Sequence, residues 1–120
     1  MQCCTMAAMS ETALADPVLV RLKKELEALY GPRLKRALLY GSRARGDHQP
    51  DSDYDVLVVL DGPFDSLTEM RRLSELSHNI TWDTAGSGTA VVASFKAVTE
   101  DQIRQRTGFM HNVRKEAIAL

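Results

Sequence analysis

A chain of 120 residues has room for one small domain with one core, and 44% hydrophobic with 26% charged residues is ordinary globular composition. A formal net charge of -1 leaves no basic footprint of the type that binds nucleic acid directly. The two cysteines, Cys3 and Cys4, are adjacent, which excludes a disulfide framework and a zinc site and fits a reducing compartment, the cytoplasm.

Residues 1–15 are small and polar, with neither a basic segment nor an apolar core of signal-peptide length, and Met6 and Met9 leave the start codon open. No stretch reaches membrane-spanning length. The expectation is a flexible N-terminal arm over 1–15 and a single domain over 16–120, cytoplasmic and without a membrane partner.

Asp16 reads as an N-cap with Pro17 at the first helical position, and Leu19, Leu22, Leu26 and Leu29 mark one face of a helix stopped by Gly31-Pro32. The segment from Leu34 to Tyr40 ends in an apolar run and reads as a buried strand. Gly41 then permits a turn whose backbone N–H groups converge on an anion, and Ser42 adds a hydroxyl at the start of a short helix through Arg45. Arg43 and Arg45 bring permanent positive charge and forked donors suited to phosphate oxygens. Gly41, Ser42, Arg43 and Arg45 are therefore the nucleotide-binding candidates.

After a ten-residue gap from Ser42 comes Asp53-Tyr54-Asp55, heading the apolar strand to Leu60. Alternation points Asp53 and Asp55 the same way with Cα atoms roughly 6.5 to 7 Å apart. Such a pair suits Mg²⁺, which takes few protein oxygens and fills its octahedron with water and phosphate. Either half alone is also a common turn or self-capping loop. Together, with Asp51 adding to the negative charge, they point to a metal-bound triphosphate.

Beyond Asp61-Gly62-Pro63, Leu67, Met70, Leu73 and Leu76 predict a helix from Asp65 or Ser66 to about Ser77, with Arg71 and Arg72 toward solvent. Ile80 to Thr84 and Thr89 to Phe95 flank the turn signal Ala85-Gly86-Ser87-Gly88 and read as a β-hairpin. Thr99 with Gln102 forms a capping-box pattern, and Val98 with Ile103 a hydrophobic staple, for a short helix from Glu100 to near Gly108. Phe109, Val113 and Ala117 give the face of a last helix. His48 reads as a loop residue, His78 as a helix end and His111 as part of the final helix, with no metal-ligand spacing among them. Tyr40, Tyr54 and Trp82 read as core or pocket walls.

Gly-Ser-Arg-Ala-Arg-Gly at 41–46, followed by Asp-Ser-Asp-Tyr-Asp at 51–55 and an apolar strand, resembles the GSx10DxD pattern of the DNA polymerase β-like nucleotidyltransferases. The shortness of the chain makes it most similar to the minimal nucleotidyltransferases, or MNT domain proteins. The motif match is specific over residues 38–60 and architectural elsewhere. The resemblance implies a mixed α/β fold, a sheet of about four or five strands flanked by helices. It also implies Mg²⁺-dependent transfer of AMP from ATP to a hydroxyl, with one or two Mg²⁺ ions.

Within that resemblance Gly41 and Ser42 hold phosphates, and Asp53 and Asp55 are catalytic and metal-binding. A third acid is expected from a later strand. Asp83 is the nearest candidate for that catalytic and metal-binding position, although a turn residue would also suit its place. Many minimal members are antitoxins paired with a small helical HEPN toxin, and some adenylylate a tyrosine of that partner. The resemblance therefore implies a cognate HEPN-type toxin as partner, in a hetero-oligomer. Two other readings stay open: an antitoxin acting by direct binding with a degenerate nucleotide site, and transfer to a small molecule.

Overall fold

Helix α1, Pro17–Tyr30, starts where Asp16 accepts a hydrogen bond from the Val18 backbone N–H at 2.9 Å. It ends at Gly31, whose φ of 54° is a conformation that glycine adopts without strain. In the computed structural model the described residues are 16–50, 52–86, 88 and 90–120. The proposed arm, Cys3, Cys4, Asp51, Ser87 and Thr89 lie outside them.

A single 3₁₀ turn, Gly31–Arg33, leads into β1, Leu34–Tyr40, and a short helix α2, Ser42–Arg45, follows. Strand β2 runs Tyr54–Leu60, helix α3 Ser66–Ala85 and strand β3 Ala93–Val98. Helices α4, Glu100–Ile103, and α5, Gly108–Glu116, precede a two-residue strand β4, Ile118–Ala119.

The four strands form one mixed sheet in the order β3-β2-β1-β4. Strand β1 pairs antiparallel with β2, setting Tyr40 opposite Asp55, and β3 pairs parallel with β2, setting Ser94 opposite Asp55. A parallel neighbour requires a crossover, which α3 supplies. Strand β2 and the Ala37–Leu39 stretch of β1 are buried on both faces, as apolar runs without polar alternation require, while Lys35 and Arg36 at the start of β1 are exposed.

Alternation along β1 and β2 divides the core in two. Ala37, Leu39, Tyr54, Val56, Val58 and Leu60 pack with Leu19, Leu22 and Leu26 of α1 and Leu73 and Ile80 of α3. Leu38, Leu57 and Val59 face the other way, against Ile103 of α4 and Met110 and Val113 of α5. Asp55 has the parity of Leu57 and therefore belongs to the α4/α5 face.

The expected hairpin is absent. Ile80 to Thr84 continues α3 to Ala85, and the loop returns to a strand parallel to β2. Three hydroxyls on α3 explain how a Thr-rich segment serves a helix: Ser77 donates to Ala93 O at 2.6 Å, Thr81 donates to Val91 O at 2.8 Å, and Thr84 accepts from Val91 N–H at 2.8 Å. They satisfy backbone groups that a second hairpin strand would otherwise take.

The apolar face of α3 also differs from expectation. Steps of three residues drift backwards by about 60° each on a 3.6-residue helix, so Leu67 and Leu76 fall on opposite sides. Leu67 and Met70 are exposed, while Glu69, Leu73 and Ile80 are buried. Trp82 is 75% exposed, a helix-surface residue and not a core or pocket wall. His78 sits within α3 and not at its end.

Near the C-terminus, the Thr99–Gln102 capping box forms as expected, but α4 stops at Ile103, well before Gly108. Strand β4 was not foreseen, because two residues carry no periodicity.

Candidate active site

Strand β1 ends at Tyr40, and Gly41 turns the chain with φ 79° into α2. A Cβ placed on Gly41 would stand 2.5 Å from Asp55 Oδ2. Glycine is therefore required twice, by the backbone conformation and by the carboxylate pressed against it. The Gly41 carbonyl accepts from the Ala44 and Arg45 N–H groups at 3.1 Å, and the Ser42 carbonyl from the Gly46 N–H at 2.9 Å. The first N–H groups of such a turn have no carbonyl within it to bond, which suits them to an anion.

Asp55 is half-buried as the second residue of β2 and Asp53 is exposed just ahead of the strand. Burial and the neighbouring Asp53 push the Asp55 carboxyl above its ordinary range, and the Arg45 guanidinium opposes them. Among the described residues, none makes a hydrogen bond or ion pair to either carboxylate. Two like-charged, unpaired carboxylates beside an open turn fit a single hard cation.

The two arginines are engaged within the chain. Arg43 lies over the Tyr54 ring with Cζ 3.9 Å from its centroid and donates to Ser52 O at 2.9 Å and Pro50 O at 3.0 Å. It shapes the loop between the two halves of the motif. Arg45 pairs with Asp47 at 3.2 Å and with Glu116 of α5 at 3.3 Å. Tyr54, between the two aspartates, points to the opposite face and donates from its hydroxyl to Asp16 Oδ2 at 3.0 Å. Burial, with that bond to Asp16, pushes the Tyr54 phenol up to about 12.

Asp83 is not brought to the pair. It occupies the last turn of α3, where Arg21 of α1 donates to it at 2.8 Å, and α3 packs on the sheet face opposite Asp55. The hairpin reading had placed it on a strand; the continuing helix removes it. His48 is exposed in the loop and His111 exposed on α5.

The structure adds neighbours that the motif did not indicate. A cavity of about 660 Å³ opens beside Asp55, walled by its two strand partners, Tyr40 and Ser94, with Lys96, Gln105, Phe109 and Met110. Tyr40 meets Phe109 edge to face at 5.4 Å, and Lys96 Nζ lies 5.9 Å from the Phe109 ring centre. Alternation within Ala93–Val98 was the available signal, but it is informative only once β3 is known to run parallel to β2.

A glycine-serine turn locked against a carboxylate pair, at the end of a mixed sheet covered by helices, defines a nucleotidyltransferase-type site. The family described as Nucleotidyltransferase domain matches residues 19–115, and the chain belongs to that family. Two proteins of Methanocaldococcus jannaschii are related to it in sequence. One, named "Putative protein adenylyltransferase MJ0604", is 42% identical over 45 residues, 38% of this chain and 45% of its own. The other, "Putative protein adenylyltransferase MJ0141", is 37% identical over 43 residues, 36% of this chain and 43% of its own. The chain thus spans under half the length of the curated relatives it matches. A crystal structure of a "putative nucleotidyltransferase from Sulfolobus solfataricus" shares the fold, with a TM-score of 0.57 at 17% identity over 94% of this chain and 89% of that one.

Proposed function

We propose that this chain is an Mg²⁺-dependent protein adenylyltransferase that moves AMP from ATP onto a tyrosine hydroxyl of a cognate HEPN-type toxin, and so acts as its antitoxin. The observation that carries the reading is the seating of Gly41 against Asp55, which joins the phosphate turn and the carboxylate pair in one site. The names of the two archaeal relatives support a protein as acceptor, and the motif resemblance supports the tyrosine and the HEPN partner.

In this reaction the phenol oxygen forms a bond to the α-phosphorus, the bond from that phosphorus to the bridging oxygen of the β-phosphate breaks, pyrophosphate leaves, and the phenol proton passes to solvent. Mg²⁺, when bound, supplies positive charge to the phosphate oxygens. Asp53 and Asp55 hold the ion, Gly41 and Ser42 hold the phosphates, and Arg43 and Arg45 set the loop around them. The cavity bounded by Tyr40, Phe109 and Lys96 admits the acceptor side chain beside Asp55. Holding acceptor and donor in line is where most of the rate enhancement arises.

The second reading, neutralisation by contact alone, is favoured by one observation: among the described residues no third carboxylate joins Asp53 and Asp55. Incubation with α-labelled ATP and Mg²⁺, with and without the product of the adjacent reading frame, separates the two. Label is expected on the partner with the native chain and not with the Asp53→Asn, Asp55→Asn double variant. Full neutralisation by that double variant, with no label in either reaction, would establish the contact mechanism instead.

A further inference from the structure

On β3, the strand beside the carboxylates, the residues that share their face are Ser94, Lys96 and Val98, the last buried in the core away from the carboxylates. Parallel register sets Ser94 across from Asp55 and Lys96 across from Leu57, the next residue of that face along β2. Adjacent strands lie about 5 Å apart, so Ser94 is the position from which a further oxygen ligand would meet an ion held on Asp55. It offers a neutral hydroxyl, and Lys96 follows it with a full positive charge.

The other carboxylates of the α4 and α5 layer are committed to arginines: Glu100 to Arg36 at 2.9 Å, Asp101 to Arg104, and Glu116 to Arg45 at 3.3 Å. The triphosphate brings negative charge of its own and helps to hold one ion, but a second divalent ion at the roughly 3.5 to 4 Å spacing of a two-metal site would find no further carboxylate among the described residues of this sheet face. The Lys96 ammonium, exposed on the same face, adds repulsion toward a second cation.

We propose that this site takes one divalent cation per chain, on Asp53 and Asp55, and that Ser94 and Lys96 exclude a second. The inference rests on the nucleotidyltransferase reading, and deepens it by fixing the metal stoichiometry. Catalysis must then proceed with one ion and the chain's own cations.

The test counts Mn²⁺ bound to the full chain by electron paramagnetic resonance, with a non-hydrolysable ATP analogue present. One Mn²⁺ per chain is expected. Ser94→Asp, at an exposed strand position, is expected to raise the count to two with the appearance of a spin-coupled signal. Adding Lys96→Gln to that variant is expected to tighten the second ion about fivefold, an advantage that shrinks as salt is raised. Two ions on the native chain would overturn the proposal and leave the nucleotidyltransferase reading standing. So would a count of one for a folded Ser94→Asp chain, with folding checked by circular dichroism. No bound ion at all would overturn both.

Discussion

Gly41 answers to two constraints that no other residue meets together. Its φ of 79° strains any side chain, and the space a Cβ needs is taken by Asp55 Oδ2. Gly41→Ala is expected to cost about 2 kcal/mol of stability in urea denaturation. Because the displaced atom belongs to Asp55, which the proposal makes a metal ligand, the same variant is expected to weaken Mn²⁺ binding by at least about tenfold. Stability loss with unchanged Mn²⁺ affinity would show that the carboxylate tolerates displacement. The turn at Gly41 and the strand start at Tyr54, which carry the candidate residues, were legible in the sequence because their geometry is local: one turn, and one strand period. The Arg43 position was not, because its stacking depends on which way Tyr54 faces and how the loop folds back.

Among the elements, α3 shows how local signals mislead. Ile80 to Thr84 is rich in the β-branched residues that favour strands, and a Gly-rich turn follows. Tertiary contacts override that preference, because Ile80 reaches the core and the threonine hydroxyls bond the backbone leading into β3. Thr81→Val keeps the shape and removes the donor to Val91 O. It is expected to cost about 1 kcal/mol in urea denaturation and to raise hydrogen exchange in the 90–93 segment. A neutral result would mean that solvent replaces the lost bond. The α1, β1 and β2 segments were readable because each combines a clear apolar pattern with a cap or stop residue, whereas α5 was placed without its true face: Met110 and Val113 are buried, Phe109 is exposed and Ala117 lies just past the helix. Strand β3 was displaced in register and direction because parallel pairing leaves no signature in a single segment.

Across the whole molecule, the sheet has two electrostatically opposite ends. At one, Asp55 is pushed up by burial and by Asp53. At the other, Glu69 is 3% exposed, with Arg33 at 3.1 Å, Arg72 at 3.8 Å and the Tyr30 hydroxyl buried against it. Burial raises the Glu69 carboxyl, but Arg33 and Tyr30, with Arg72, pull it below its ordinary 4.5. A carboxyl lowered by folding contributes stability that is complete above its unfolded value and is lost as pH falls through the folded one. Glu69→Gln is therefore expected to cost about 2 kcal/mol near pH 7, Arg33 being partly in solvent, and to flatten the acid limb of the stability profile below about pH 4.5. Parallel stability profiles for the two chains would exclude Glu69 as the source. The sequence conveyed the two-sided burial of the sheet, but not which face each end would serve. That follows from β3 running parallel to β2 and from α3 and α5 covering opposite faces.

One contact reaches beyond the site itself. The Asp16–Tyr54–Arg43 row ties the first turn of α1 to the loop that carries the motif. In engineering terms, a label carried on the first turn of α1 is one tyrosine away from the loop that holds the motif, which suits an environment-sensitive dye meant to report on that loop.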